Sequence, residues 1–217
     1  MFSTLESGPE SAPTRLLLAH GAGAAMTSSF LEQITALIAE RGIAVTRFEF
    51  SYMAGRRSGG PKRPPPKAEG LMPEYQAALA DVRARAPKGQ KLFIGGKSLG
   101  GRVASMIAND AFGRTEIAGL VCLGYPFHAP AQVDKMRTAH LEKFSCPALI
   151  VQGDRDPFGN RAEIEPLKLS PQIQFHWIGD GDHDFGPRGA SGFTRKGNLA
   201  AAADAVAAFM ASSAASR

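Results

Sequence analysis

Cysteine is scarce in this chain, with two in 217 residues, Cys122 and Cys146. Both stand in apolar surroundings, where a free cysteine packs as a small hydrophobe, and nothing asks for a disulfide. No apolar run approaches the roughly 20 residues that a membrane-crossing helix needs, and the alanine-rich tail is interrupted by Asp204. The opening stretch MFSTLESGPE lacks the basic start and apolar core of a secretory signal. These absences predict a cytoplasmic protein with no membrane partner. Neither an internal repeat nor a dividing linker is present, so one domain over residues 1–217 is expected, long enough to bury a full core.

Acidic residues are missing from one segment in particular. RRSGGPKRPPPK, at 56–67, carries Arg56, Arg57, Lys62, Arg63 and Lys67 with no Asp or Glu, in a chain of net charge +5. A nucleic-acid reader would add aromatic side chains or a reading helix to such a run. This one has neither, so it reads as a basic loop and nucleic acid is not an expected partner.

The rest is patterned. RLLLAHGAG (15–23), IAVTRFEF (43–50), KLFIGG (91–96), IAGLVCLGYP (117–126), CPALIVQGD (146–154) and PQIQFHWIG (171–179) are short apolar runs, most ending in Gly, Pro or Asp. Helical spacing separates them, with Phe30, Leu31, Ile34, Leu37 and Ile38 on one face after a Thr27 or Ser28 cap. Further helices are expected over roughly 73–86, 98–110, 131–143 and 197–213. Strands alternating with helices predict an α/β fold, about six mostly parallel strands with helices on both faces. Sites in such sheets lie at the carboxyl ends of the strands. His20–Gly23, Ser98, Tyr125–His128, Asp154–Asp156 and His183 all fall there.

GGKSLGG, at 95–101, permits two chemistries. A phosphate-binding loop needs a glycine five residues before the Gly of its Gly-Lys pair, and Lys91 stands there, inside a strand. The loop is too short. Gly96-Lys97-Ser98-Leu99-Gly100 instead matches G-x-S-x-G between a strand and a helix, a turn that exposes a nucleophilic serine. A serine hydroxyl needs a base, and the base an acid to orient it. Asp154 and Asp156, beyond the fifth strand, compete for the acid. His183, in GDGDHDFG (179–186), stands where the base should. A metal held by His183 with Asp180, Asp182 and Asp184 would want a second His or Cys, and none is near. No cofactor is called for.

LLLAHGAGA, RFEFSYMAGRR followed by PPP, GGKSLGGRVAS, LGYPFHAP and LIVQGDRDPFG together resemble the α/β-hydrolase superfamily, from Leu16 to about Gly186. Within it the chain is most similar to small cytoplasmic hydrolases related to dienelactone hydrolases, whose nucleophile is a cysteine where this chain has Ser98. The resemblance implies Asp156 as the triad acid, leaving Asp154 to hydrogen-bond the turn. It implies Ala22 and Leu99 as the donors of an oxyanion hole. It also implies a compact α/β-hydrolase fold, with a short or absent lid and without the two antiparallel strands that begin larger members. The site should be open, rimmed by residues 52–67 and 125–140.

The implied activity is that of a serine hydrolase, carboxylesterase-like, acting on an ester or thioester through Ser98, Asp156 and His183. Lys97 beside the nucleophile would favour an anionic small-molecule acyl substrate, unless it is a solvated side chain on the turn. Tyr52, Tyr125 and Phe127, with Met53, line an acyl pocket or pack the rim, and His128 is a polar contact candidate. A catalytically silent scaffold for protein binding is the alternative.

Overall fold

The computed structural model describes residues 3–57, 59–60 and 64–215, less the Arg57 side chain. Its frame is a seven-stranded sheet in the order β1-β3-β2-β4-β5-β6-β7, from β1 (Thr4–Ser7), β2 (Thr14–Ala19), β3 (Ala44–Phe48), β4 (Lys91–Lys97), β5 (Gly119–Leu123), β6 (Ala148–Gly153) and β7 (Ile173–Ile178). Six strands run parallel, and β1 lies antiparallel on the edge against β3.

The parallel core follows from strands that are apolar on both sides. Leu16 and Leu18 enter one hydrophobic cluster while Leu17 and Ala19 enter the other, the period of two that pleating imposes. α3 (Ala68–Arg85) and α4 (Leu99–Gly113) cover one face, and α1 (Ser29–Glu40) and α6 (Arg195–Ala215) the other. Ser28 caps α1, and Phe30, Leu31, Ile34 and Ile38 form its buried stripe. Among the described residues α6 alone is long and apolar enough to cross a membrane. Here its Leu199, Ala202, Val206, Phe209 and Met210 are packed into the protein's own core.

Register positions the site. Ala19 is level with Phe48 on one side and Gly96 on the other, Lys97 with Leu123, and Gly153 with Ile178. The loops that follow β2, β4, β6 and β7 therefore open at one end of the sheet.

Several expectations are corrected. The sheet has seven strands because β1 forms from TLES, a half-exposed segment with too little apolar alternation to register as a strand. One antiparallel strand thus begins the fold. No helix covers 131–143. Only a single 3₁₀ turn, Ala139–Leu141, occurs there, in a segment that follows Pro126 and Pro130. The segment after β3 is more helical than expected, with a short α2 (Ser51–Arg57) and with α3 starting at Ala68, five residues before Pro73. Of the basic run, Lys62, Arg63 and the Arg57 side chain lie outside the described residues.

Candidate active site

The turn from β4 into α4 is built on close approach. A Cβ on Gly96 would stand 2.5 Å from the Gly100 carbonyl carbon, and one on Gly100 would stand 2.6 Å from the oxygens of both Ala19 and His20. Only glycine fits at either place. Ser98, between them, sits at φ 50°, ψ −115°, a strained conformation for a residue with a side chain. Among the described residues its hydroxyl has no hydrogen-bond partner. It lines a cleft of about 450 Å³ that also takes in Ala22, Phe30, Phe158, His183 and Arg195.

His183 reaches this cleft from the loop after β7. Its Nδ1 lies 2.8 Å from Asp156 Oδ2. A carboxylate only accepts, so Nδ1 is the donor, and in a neutral imidazole the lone pair then lies on Nε2. The Phe158 ring packs on the imidazole with centroids 4.4 Å apart.

Asp156 is fully buried, and every oxygen is engaged: Oδ1 accepts from Phe158 N at 2.8 Å, and Oδ2 from Gln152 Nε2 at 2.9 Å as well as from His183. Asp154 does something else. Its Oδ2 accepts from Asp180 N at 3.0 Å, tying the end of β6 to the turn after β7. Gln152 gave no sequence signal. Buried on β6, it accepts from Tyr125 N through Oε1 at 2.7 Å and donates from Nε2 to Asp156 and to Gly159 O.

The loop after β2 borders the nucleophile, since a Cβ on Gly21 would lie 3.7 Å from that of Ser98. Leu99 is the first residue of α4, so its N–H has no partner within the helix. His20 is fully buried and pins the loop: Nδ1 lies 2.7 Å from Gly21 O, and Nε2 accepts from Phe50 N at 3.1 Å. Burial lowers its pKa, the Gly21 contact opposing. Tyr52 is half-buried, is absent from the cleft wall, and donates its hydroxyl to Ala22 O at 3.1 Å. Burial pushes its pKa up to about 12.

The other expected substrate contacts have protein partners, and of them only Lys97 lines the cleft among the described residues. Lys97 is neither solvated nor free: it is 6% exposed, its Nζ donates to His183 O at 2.7 Å, and it pairs with Asp184 at 3.3 Å. Burial lowers its pKa against the pull of the Asp184 and Asp156 carboxylates. Tyr125 and Phe127 are fully buried, their rings 4.8 Å apart in the core. Both belong to the hydrophobic cluster on the α3 and α4 face, with Phe127 stacked on Phe175. His128 is 2% exposed and holds the acid loop instead, its N–H donating to Phe158 O and its Nε2 lying 3.2 Å from Glu163. Among the described residues the cleft wall takes in the loop after β2 and the starts of α1 and α6, and none of 52–67 or 125–140. Asp182 accepts from the Asp184 and Gly186 N–H groups, and Asp180 pairs with Arg155 and Arg188. No set of three His, Cys, Asp or Glu side chains among the described residues is grouped to share a metal ion.

Solved structures share this fold. A dienelactone hydrolase from Anabaena variabilis is 19% identical with a TM-score of 0.72, over 97% of this chain and 91% of that one. An alpha-beta serine hydrolase homologue from Coxiella burnetii is 19% identical with a TM-score of 0.66, over 85% of this chain and 84% of that one. A protein from Xanthomonas campestris, described as a member of the a/b serine hydrolases without lid, is 19% identical with a TM-score of 0.61, over 85% and 81%. The alpha/beta hydrolase domain family matches residues 12–211, and the chain belongs to it.

Proposed function

We propose that this protein is a serine hydrolase that cleaves an ester-type bond, carboxylester or thioester, through an acyl-enzyme. The observation that carries the reading is the 2.8 Å contact between His183 Nδ1 and a fully buried Asp156, in a cleft shared with Ser98 at φ 50°.

In this reading Ser98 Oγ attacks the acyl carbon while His183 Nε2 takes its proton. The Oγ–C bond forms, and the carbonyl electrons move to oxygen. The N–H groups of Ala22 and Leu99 receive that oxyanion, and Leu99 at the head of α4 adds the positive end of the helix dipole. Collapse breaks the bond to the leaving group, which departs with the proton from His183. Water, deprotonated by His183 in turn, then attacks the acyl-enzyme and releases the acid and Ser98. Asp156 holds the imidazole in the Nδ1–H tautomer and offsets its charge when protonated. Residues 125–140 form no helix beyond the 3₁₀ turn at Ala139–Leu141, which supports a short lid and small acyl substrates entering directly from solvent.

A fluorophosphonate probe tests this without knowledge of the substrate, because it reports on nucleophile, base and oxyanion hole together. Labelling at Ser98, lost in Ser98→Ala and in His183→Ala, is the expected result. No labelling of the folded wild-type protein at Ser98 would overturn the reading.

A further inference from the structure

The cleft around Ser98 holds three side chains of fixed charge: Lys97, Asp184 and Arg195. Two of them satisfy each other. Lys97 Nζ stands 3.3 Å from Asp184 and donates to His183 O, with its side chain almost wholly buried. That leaves Arg195. It is exposed at the first position of α6, and among the described residues its guanidinium makes no hydrogen bond and no ion pair. Nearby arginines are not in this state, since Arg155 and Arg188 are both tied to Asp180.

The remaining wall offers no competing acid. Ala22, Ala24, Phe30 and Phe158 are apolar, and Ser28 and Ser29 are neutral. Asp156 is fully buried, its carboxylate bonded to Gln152, Phe158 N and His183. Among the described residues Arg195 is thus the one charged side chain of the cleft wall without a partner, a planar fork of donors that matches a carboxylate or phosphate.

We infer that the ester taken by this cleft bears an anionic group remote from the scissile carbonyl, and that Arg195 is the residue that receives it. This rests on the hydrolase reading above and names its substrate class: half-esters of dicarboxylic acids, or acyl compounds ending in phosphate or phosphonate. The apolar wall would take the methylene chain that joins the two ends. Arg195 sets specificity in this scheme and takes no part in bond making.

Three matched substrates test it: para-nitrophenyl valerate, para-nitrophenyl hydrogen glutarate and the para-nitrophenyl ester of phosphonobutyric acid, which share a three-methylene spacer and differ in the terminal group. The wild-type protein should favour the two charged esters by about threefold to fivefold in kcat/KM, chiefly through KM, since one exposed charge contact carries roughly that much, and the preference should shrink as salt is raised. Arg195→Gln should erase the preference and leave the valerate rate within about twofold, since the neutral ester has no charge for Arg195 to meet. Lys196→Gln, which removes a neighbouring charge outside the cleft, should keep it. The order of glutarate and phosphonobutyrate shows which anion fits.

Equal rates on all three esters would overturn the inference, as would an Arg195→Gln loss shared by the neutral ester, or a Lys196→Gln loss as large. Ser98-dependent hydrolysis of valerate without any charge preference would leave the hydrolase reading standing while this one falls. Hydrolysis of none of the three, with no fluorophosphonate label on Ser98, would overturn both.

Discussion

Lys97 Nζ donates to the main-chain oxygen of His183 at 2.7 Å, so the residue before the candidate nucleophile holds the loop that carries the candidate base. The contact crosses from the end of β4 to the loop after β7. Gly124 makes room for it: a Cβ there would stand 2.9 Å from both Lys97 Nζ and His183 O. The Phe30 ring closes the other side, its centroid 5.2 Å from the ammonium. From its place in the cleft wall the lysine can thus position the candidate base.

Lys97→Met keeps the stem and removes the donor. The expected result is a fall in kcat of roughly tenfold to a hundredfold on a neutral ester, because displacing a catalytic group by about 1 Å can cost that much. KM should change little, and hydrogen exchange at 183–186 should quicken. Asp184→Asn, which leaves the bond to His183 O in place, should cost less. Unchanged kcat and exchange in Lys97→Met would mean that the bond has no positioning role.

The two carboxylates after β6 should separate cleanly. Asp156→Asn keeps the volume but lets an amide face His183 Nδ1, which favours the wrong tautomer. A loss of about 10³–10⁴ in kcat is expected, the scale seen when a triad acid is made neutral. Asp154→Asn keeps an oxygen for Asp180 N and should leave kcat within about threefold, with a stability change on the order of 1 kcal/mol. Ester assays paired with thermal unfolding check this, and equal kinetic losses would mean that the acid has been misassigned.

The sequence was most legible where local geometry leaves no choice. Gly96 and Gly100 flank Ser98 because any side chain there would strike Ala19, His20 or the elbow's own backbone. Asp156 and His183 fall at strand ends in a set order, and the register of β6 on β7 brings them together. What could not be read depends on distant packing. Arg195 stands in a polar stretch with no pattern of its own, and only the docking of α6 brings it to a cleft whose nucleophile is far off in the chain. Tyr125 and Phe127 look the same in sequence whether they face a ligand or the core. Their packing in the core, Tyr125 on Phe127 and Phe127 on Phe175, decides it, and that last contact exists only once β7 is in place. Gln152 reads as one polar residue in an apolar strand, and its contacts with Tyr125, Asp156 and Gly159 exist only once β6 is paired.

His20 gives the fold a pH dependence whose sign follows from burial. Its Nε2 must stay unprotonated to accept from Phe50 N, and burial holds its pKa below the ordinary 6.5. The unfolded chain gains a proton at His20 near pH 6.5, while the folded chain resists until lower pH. Stability from this residue is therefore complete above about 6.5 and is lost as pH falls toward the folded pKa. Burial acts in the same direction on His140 and His176, so the wild-type protein sums several such terms. His20→Gln removes one of them. It should be less stable at about pH 8, by roughly 1–3 kcal/mol for an imperfectly replaced buried pair of hydrogen bonds. Its unfolding midpoint should then fall less steeply than the wild type's between about pH 7 and about pH 5, so that the two curves converge. Calorimetry across that range checks it, and parallel curves would show that His20 titrates alike in the folded and unfolded chain.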